Sequence, residues 1–317
     1  MGQGKVGDTL LRYGASCMQG WRLENEDAHL AQIGIEGKQI AMFGVYDGHA
    51  GKLTAVHAAQ TLPKFVAMQD GFLNGEPTGL AQAMAQAYIE VDEDLMQLPS
   101  VKESGDRSGC TAISVCITPS HYVVANAGDS RLILVKGGAV AFASKDHKPD
   151  NPEEMKRIFA AGGTVFASRV NGDLSVSRAL GDFLYKSVSG LGPAEQPITC
   201  VPEVTIIQRE DSLDQFLLIA CDGIWDVVSN ETAASFIQEK MTIGYGLGRC
   251  CELLLDHCLE LGSRDNMTVV IVTLPAAPKQ IGTYREPNPP IKKGVSSGSP
   301  ATGAAAAGGA NNSAEMP

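Results

Sequence analysis

The sequence predicts an α+β fold in which two antiparallel β-sheets lie face to face and helices cover both outer sides, an α-β-β-α sandwich. Three observations point there. Strand and helix signals come in groups rather than in strict alternation, which argues against a parallel doubly wound sheet. Short apolar runs are separated by hairpin signals, Pro119-Ser120 and Gly137-Gly138. The long helix-period segments form one pair before residue 100 and another after residue 229, enough to cover two sheets.

Taken in order, strands are expected over 12–17, 28–35 and 40–46. A helix follows over 50–68, with Leu53, Val56 and Ala59 on its apolar face. Asp70-Gly71 reads as punctuation before a second helix, 80–98, where Met84, Ala87, Val91 and Leu95 share a face. Strands are expected over 110–118, 121–126, 131–136 and 139–143. Asn151-Pro152-Glu153-Glu154 starts a helix, with an Asn cap, Pro at the first position and acids in the first turn. Gly162-Gly163 stops it, and the loop-rich stretch 163–202 is expected to carry the surface nearest a substrate. Strands return over 203–208 and 216–220. Ser229 caps a helix through Met241, another helix spans 247–261, and the last strand is 267–274.

Residues 1–9 read as a flexible N-terminus and 10–277 as one folded domain. From Pro275 the composition turns to Pro, Gly, Ser and Ala, with no aromatic after Tyr284, so 278–317 reads as a disordered low-complexity tail. The chain has 317 residues, 44% hydrophobic and 19% charged, enough to bury a sizeable core. A net charge of −11 argues against a general nucleic-acid or anionic-membrane surface. The eight cysteines show no CxxC spacing and no signal peptide precedes them, so reduced, mostly buried thiols in the cytoplasm or nucleus are expected. No apolar run reaches the length of a membrane span. Met1-Gly2 could begin a myristoylation signal, although Val6 stands where Ser or Thr is usual; one acyl chain would anchor only weakly. The lack of a coiled-coil pattern favours a monomer.

The chemistry concentrates at strand ends. Val45-Tyr46-Asp47-Gly48-His49 and Ala220-Cys221-Asp222-Gly223 each stop an apolar run at Asp-Gly, and Asp265-Asn266 leads into the run 267–274. Asp-Gly alone is a common turn dipeptide. Three carboxylates at the ends of three core strands are nevertheless what a hard cation such as magnesium or manganese needs: oxygen ligands on rigid supports. Two further clusters, Gly20–His29 with Arg22, Glu26 and Asp27, and Ser144–Pro149 with Asp146, would separately pass for a solvated loop and a turn.

These motifs occur in a fixed order: Arg22-x-x-x-Glu26-Asp27, Asp47-Gly48-His49-Ala50-Gly51, Ser108-Gly109-Cys110-Thr111-Ala112, Asn126-Ala127-Gly128-Asp129-Ser130-Arg131, Asp146-His147-Lys148-Pro149, Ser177-Arg178-Ala179-Leu180-Gly181-Asp182, Cys221-Asp222-Gly223-Ile224-Trp225-Asp226 and Ser263-Arg264-Asp265-Asn266. The set closely resembles the type-2C metal-dependent Ser/Thr protein phosphatases, over residues 11–274. The resemblance implies a β-sandwich flanked by helices, phosphorylated proteins as substrates, and two magnesium or manganese ions in the active site. Asp47 would bridge both ions, Asp222 and Asp265 would complete one, and the Gly48 carbonyl would bind the other. Glu26 would reach that ion directly or through water, and Asp27 would support the network. Water activated by the metals would attack phosphorus without a phosphoenzyme. Arg22 would bind the phosphate and His49 would protonate the leaving alkoxide. Asp146 and Asp226 match acids that could hold a weaker third metal with Asp222; Asp146 could instead orient His49. The animal form's extra C-terminal helical region has no counterpart here, so regulation by such a region is not expected.

Two rival readings compete. His257-Cys258-x5-Arg264 fits the bare pattern of cysteine-dependent phosphatases, but Cys258 follows helical spacing and Glu260 would sit in the phosphate cradle. A phosphoprotein-docking module without turnover would not need Arg22, His49 and the full acidic set together.

Overall fold

The computed structural model of the protein describes residues 1–279, so the expected tail lies, from residue 280 onward, outside the described residues. Its main strands are β1 (Gly2–Val6), β2 (Thr9–Met18), β3 (Ala28–Ile33), β4 (Ala41–Tyr46), β5 (Ala112–Ile117), β6 (His121–Ala127), β7 (Arg131–Lys136), β8 (Ala139–Ala143), β9 (Glu203–Gln208), β10 (Asp214–Ala220) and β11 (Met267–Thr273). Its long helices are α1 (Leu53–Met68), α2 (Pro77–Gln97), α3 (Pro152–Ala160), α4 (Asn230–Ile243) and α5 (Leu247–Glu260). The strands form two antiparallel sheets, ordered β1-β2-β11-β10-β7-β8 and β9-β6-β5-β4-β3. This is the α+β sandwich that the grouping of elements predicts.

Alternation along single strands shows why the layers stack this way. In β4, Phe43 and Val45 enter the core between the sheets, while Met42 and Tyr46 pack under α1 and α2. In β11, Val270 and Val272 face inward, and Val269 and Ile271 meet α4 and α5. Both faces of the central strands are therefore buried, and their sequences read as unbroken apolar runs. Each such side chain adds roughly 1.5–3 kcal/mol.

Three local expectations need correction. Residues 1–9 are a hairpin arm: β1 pairs with β2 from Gly2↔Tyr13 to Val6↔Thr9, around a turn where Gly7 has φ +61°. The Gly7-Asp8 pair at that turn was the signal in the sequence, and Val6 is buried against the sheet. Asp70-Gly71 lies inside a short helix, Asp70–Asn74, whose Gly71 lets the backbone press against Gly79: a Cβ there would sit 2.0 Å from the Gly79 carbonyl oxygen. In α1, Val56 is 36% exposed, and the buried stripe is Ala55, Ala58, Leu62 and Val66, one position away from the expected face. Of the cysteines, Cys17 alone is exposed. No helix of the described residues is long and apolar enough to cross a membrane.

Candidate active site

Four chain segments reach one pole of the sandwich because of how the strands pair. Met18 at the end of β2 lies opposite Met267 at the start of β11, so the loop bearing Arg22, Glu26 and Asp27 emerges beside Asp265. Ala220 at the end of β10 lies opposite Val269, which places Asp222 next to them in a short helix, Asp222–Trp225. From the other sheet, β4 ends at Tyr46 and delivers Asp47.

Glycine holds these loops together. A Cβ on Gly48 would lie 2.3 Å from the Glu26 carbonyl oxygen, and one on Gly223 would lie 2.1 Å from that of Asn266. Neither glycine has a positive φ, so each is required for close approach rather than for a turn. Each Asp-Gly pair thus presses one acid-bearing loop against another. Asn266 fastens the remaining loop: its amide donates to the carbonyls of Gln19 (2.8 Å) and Glu24 (2.9 Å), and its oxygen accepts the Glu26 N–H at 3.0 Å. Motif reading gave Asn266 no role.

The acids then crowd. Asp27 accepts a 2.7 Å bond from the Thr268 hydroxyl, while its Oδ1 is buried without a hydrogen-bond partner. Asp265 accepts from Arg22 and from the Asn266 N–H, both at 2.7 Å. Glu26 accepts the Gly51 N–H at 2.6 Å. Burial first, then repulsion from Asp27, Asp222, Asp129 and Asp265, pushes the Asp47 carboxyl well above its ordinary range. Burial, with Asp129, Asp226 and Asp265, raises Asp222 to about 7 against the opposing Lys148. Asp27 rises to about 6, chiefly through burial. A set of oxygen donors that resist ionisation together, with one buried oxygen unpartnered, fits a hard divalent cation. Asp27, Asp47 and Cys221 offer ligand atoms within 4.8 Å of one another. The Cys221 thiol is a poor hard-cation ligand: burial holds it well above its ordinary value, and it accepts the Thr268 N–H at 3.1 Å.

The structure separates the remaining candidates. Asp146 does not orient His49; both its oxygens are taken by Arg131, at 2.9 and 2.7 Å, and Arg131 also lies over the Trp225 ring. The carboxylate on His49 is Asp182, whose Oδ2 lies 2.8 Å from Nε2. Burial alone would lower the His49 pKa, but the bond and charge of Asp182, with Asp129 and Glu26, raise it overall. The acid nearest Asp222 in effect is Asp129, 2% exposed and paired with Lys148; Asp226 is exposed. Asp129 and Asp182 lie within the ordered motifs, but the sequence reading gives neither a role. Cys258 is fully buried in α5, and burial pushes its thiol to about 12, so no thiolate is available there.

An antiparallel sandwich carrying this acidic cluster at one pole defines a class. The sequence profile of the family "Protein phosphatase 2C" matches residues 11–267, and the chain belongs to that family. It is 44% identical to the Protein phosphatase 1A of Mus musculus over 275 residues, covering 85% of this chain and 72% of that one. It is 43% identical to the Protein phosphatase 1B of Rattus norvegicus over 280 residues, with the same coverage of 85% and 72%. Among solved structures, a phosphatase from a pathogenic strain of Toxoplasma gondii superposes with a TM-score of 0.72 at 25% identity, covering 84% of this chain and 92% of that one.

Proposed function

We propose that this protein phosphatase hydrolyses phosphoserine and phosphothreonine in proteins by direct attack of water on phosphorus, with no phosphoenzyme, at a site whose residues would hold two magnesium or manganese ions to activate that water. The observation that supports this most is the convergence of Asp47, Asp222, Asp265 and Asp27, with burial and repulsion raising Asp47, Asp222 and Asp27. Bound there, two divalent cations supply an acidified water and a clamp on the reacting oxygens. Asp47 and the Gly48 carbonyl would hold the pair, Asp222 and Asp265 would complete one ion, and Glu26 would reach the other directly or through water. Asp27 steadies the set through Thr268. Asp129 and Asp226 crowd Asp222 and would supply the carboxylates for a weaker third ion: Lys148 holds only one oxygen of Asp129, whereas Arg131 takes both oxygens of Asp146.

Arg22 stands at the mouth with its side chain 57% exposed, anchored on Asp265, and its planar fork suits phosphate oxygens. His49 supplies a proton to the departing serine or threonine oxygen, which would otherwise leave as a poor alkoxide. Calorimetric titration with Mn2+ checks the ligand set. Wild type should take up two or more ions, and Asp222→Asn should lose at least one. A folded wild type that binds no divalent cation would refute the reading.

A further inference from the structure

Two of the sequence motifs, Ser108-Gly109-Cys110-Thr111 and Ser177-Arg178-Ala179-Leu180-Gly181-Asp182, supply none of the metal or phosphate groups proposed above. They meet in a small three-stranded ribbon at the edge of the site. Gly109–Cys110 is its middle strand, with Gly48–His49 on one side and Leu180–Gly181 on the other. His49 and Gly181 both lie opposite Gly109, and Asp182 follows directly. The His49 ring and the Asp182 carboxylate therefore meet across a residue with no side chain. A Cβ on Gly109 would lie 2.2 Å from Asp182 Oδ2 and 2.5 Å from His49 Nε2, in the gap that the contact fills.

Asp182 is held with some force. It is 5% exposed and has φ +52°, a left-handed conformation that a non-glycine residue adopts only when its surroundings hold it there. Its N–H donates to the Ser108 carbonyl at 3.3 Å. On either side of it, Gly181 N–H and Lys186 Nζ both donate to the buried Asp92 of α2, each at 2.7 Å, and Lys186 also donates to the Ala179 carbonyl at 2.8 Å. An ion pair inside the protein thus fixes the turn that aims Asp182.

We infer that Asp182 is a positioning residue for phosphoester cleavage: seated over Gly109 and clamped through Asp92 and Lys186, it keeps the proton of His49 on Nε2 and turns Nδ1 to the leaving oxygen. The inference rests on His49 being the proton donor of the phosphatase proposed above. In the step, a water that has given one proton to solvent bonds through its oxygen to phosphorus, and its remaining proton stays on the phosphate product. The bond from phosphorus to the serine or threonine oxygen breaks, its electron pair stays on that oxygen, and the oxygen takes the Nδ1 proton. Nε2–H remains on Asp182, so the ring that results is the correct neutral tautomer.

The test uses two substrates that differ in their need for a proton: a phosphothreonine peptide and p-nitrophenyl phosphate, whose phenolate leaves unaided. With Mn2+ present, wild type is compared with Asp182→Asn and with Gly109→Ala, which wedges the pair apart and leaves the carboxylate intact. In both variants kcat on the peptide should fall roughly a hundredfold, with KM within about twofold and kcat on the aryl phosphate within about threefold. Equal losses on both substrates, or no loss on the peptide, would overturn the inference. If thermal unfolding shows one variant misfolded, the other carries the comparison. Wild type inactive on both substrates would instead defeat the phosphatase reading itself.

Discussion

Glu154→Gln should destabilise the protein by about 3 kcal/mol at neutral pH, and the loss should shrink in acid. Glu154 lies in α3 and is 2% exposed. It accepts bonds from Arg178 NH2 and Arg157 NH1, both at 2.6 Å, and from the Ser177 hydroxyl at 2.8 Å. Burial by itself would raise its carboxyl; the Arg178 bond and the charges of Arg157 and Arg178 override burial and lower it from 4.5 to about 2. At about 1.4 kcal/mol per pH unit, that difference is worth about 3 kcal/mol of folding free energy. The sign follows from the lowered value. The contribution is complete above pH 4.5 and is lost as pH falls through about 2. Urea unfolding of wild type and variant at intervals from pH 7 to pH 3 reads it directly. A difference under about 1 kcal/mol at pH 7, or one that stays constant between pH 5 and pH 3, would refute the reasoning. The network matters for function because it fixes Ser177 and Arg178, from which the chain runs to Asp182.

Other outcomes follow from single contacts. Gly48→Ala drives a Cβ to 2.3 Å from the Glu26 carbonyl oxygen, so the two acid loops must part, and Mn2+ affinity by calorimetry should fall about tenfold or more; unchanged affinity would contradict the close-approach argument. Asp129→Asn should weaken Mn2+ binding, whereas Asp146→Asn should leave it within about threefold and cost about 1–3 kcal/mol of stability as Arg131 loses its carboxylate and keeps only Asn230 and the Trp225 ring. The reverse order in a titration would restore Asp146 as a ligand. Cys258→Ser should keep phosphatase activity within about twofold, since the thiol is buried and protonated; loss of turnover in a folded sample would revive a thiolate mechanism.

What could be read from the sequence was whatever lies along one strand or helix. Asp47, Asp222 and Asp265 stood out because each interrupts or precedes an apolar run, and strand ends are visible in the hydrophobic pattern. The sandwich followed from the grouping of the same runs. What escaped depends on contacts between distant segments. Asp182 meets His49 only because both flank Gly109, and no spacing along the chain reveals a ribbon of two-residue strands. Asp146 and Asp129 look alike in sequence; Arg131 decides between them by occupying the first. The glycines of Asp47-Gly48 and Asp222-Gly223 read as turn formers, while their task is to admit the backbones of Glu26 and Asn266. In α1 the apolar stripe slipped by one position because Val56 and Ala55 satisfy the helical period almost equally well.

The most direct measurement is hydrolysis of a phosphothreonine peptide by the full chain, first with Mn2+ or Mg2+ and then after EDTA, with Asp222→Asn in parallel. Turnover should appear with metal, disappear with the chelator, return when metal is restored, and be nearly lost in the variant. Turnover that survives EDTA, or a folded wild type that is inactive under every metal condition, would contradict metal-dependent hydrolysis.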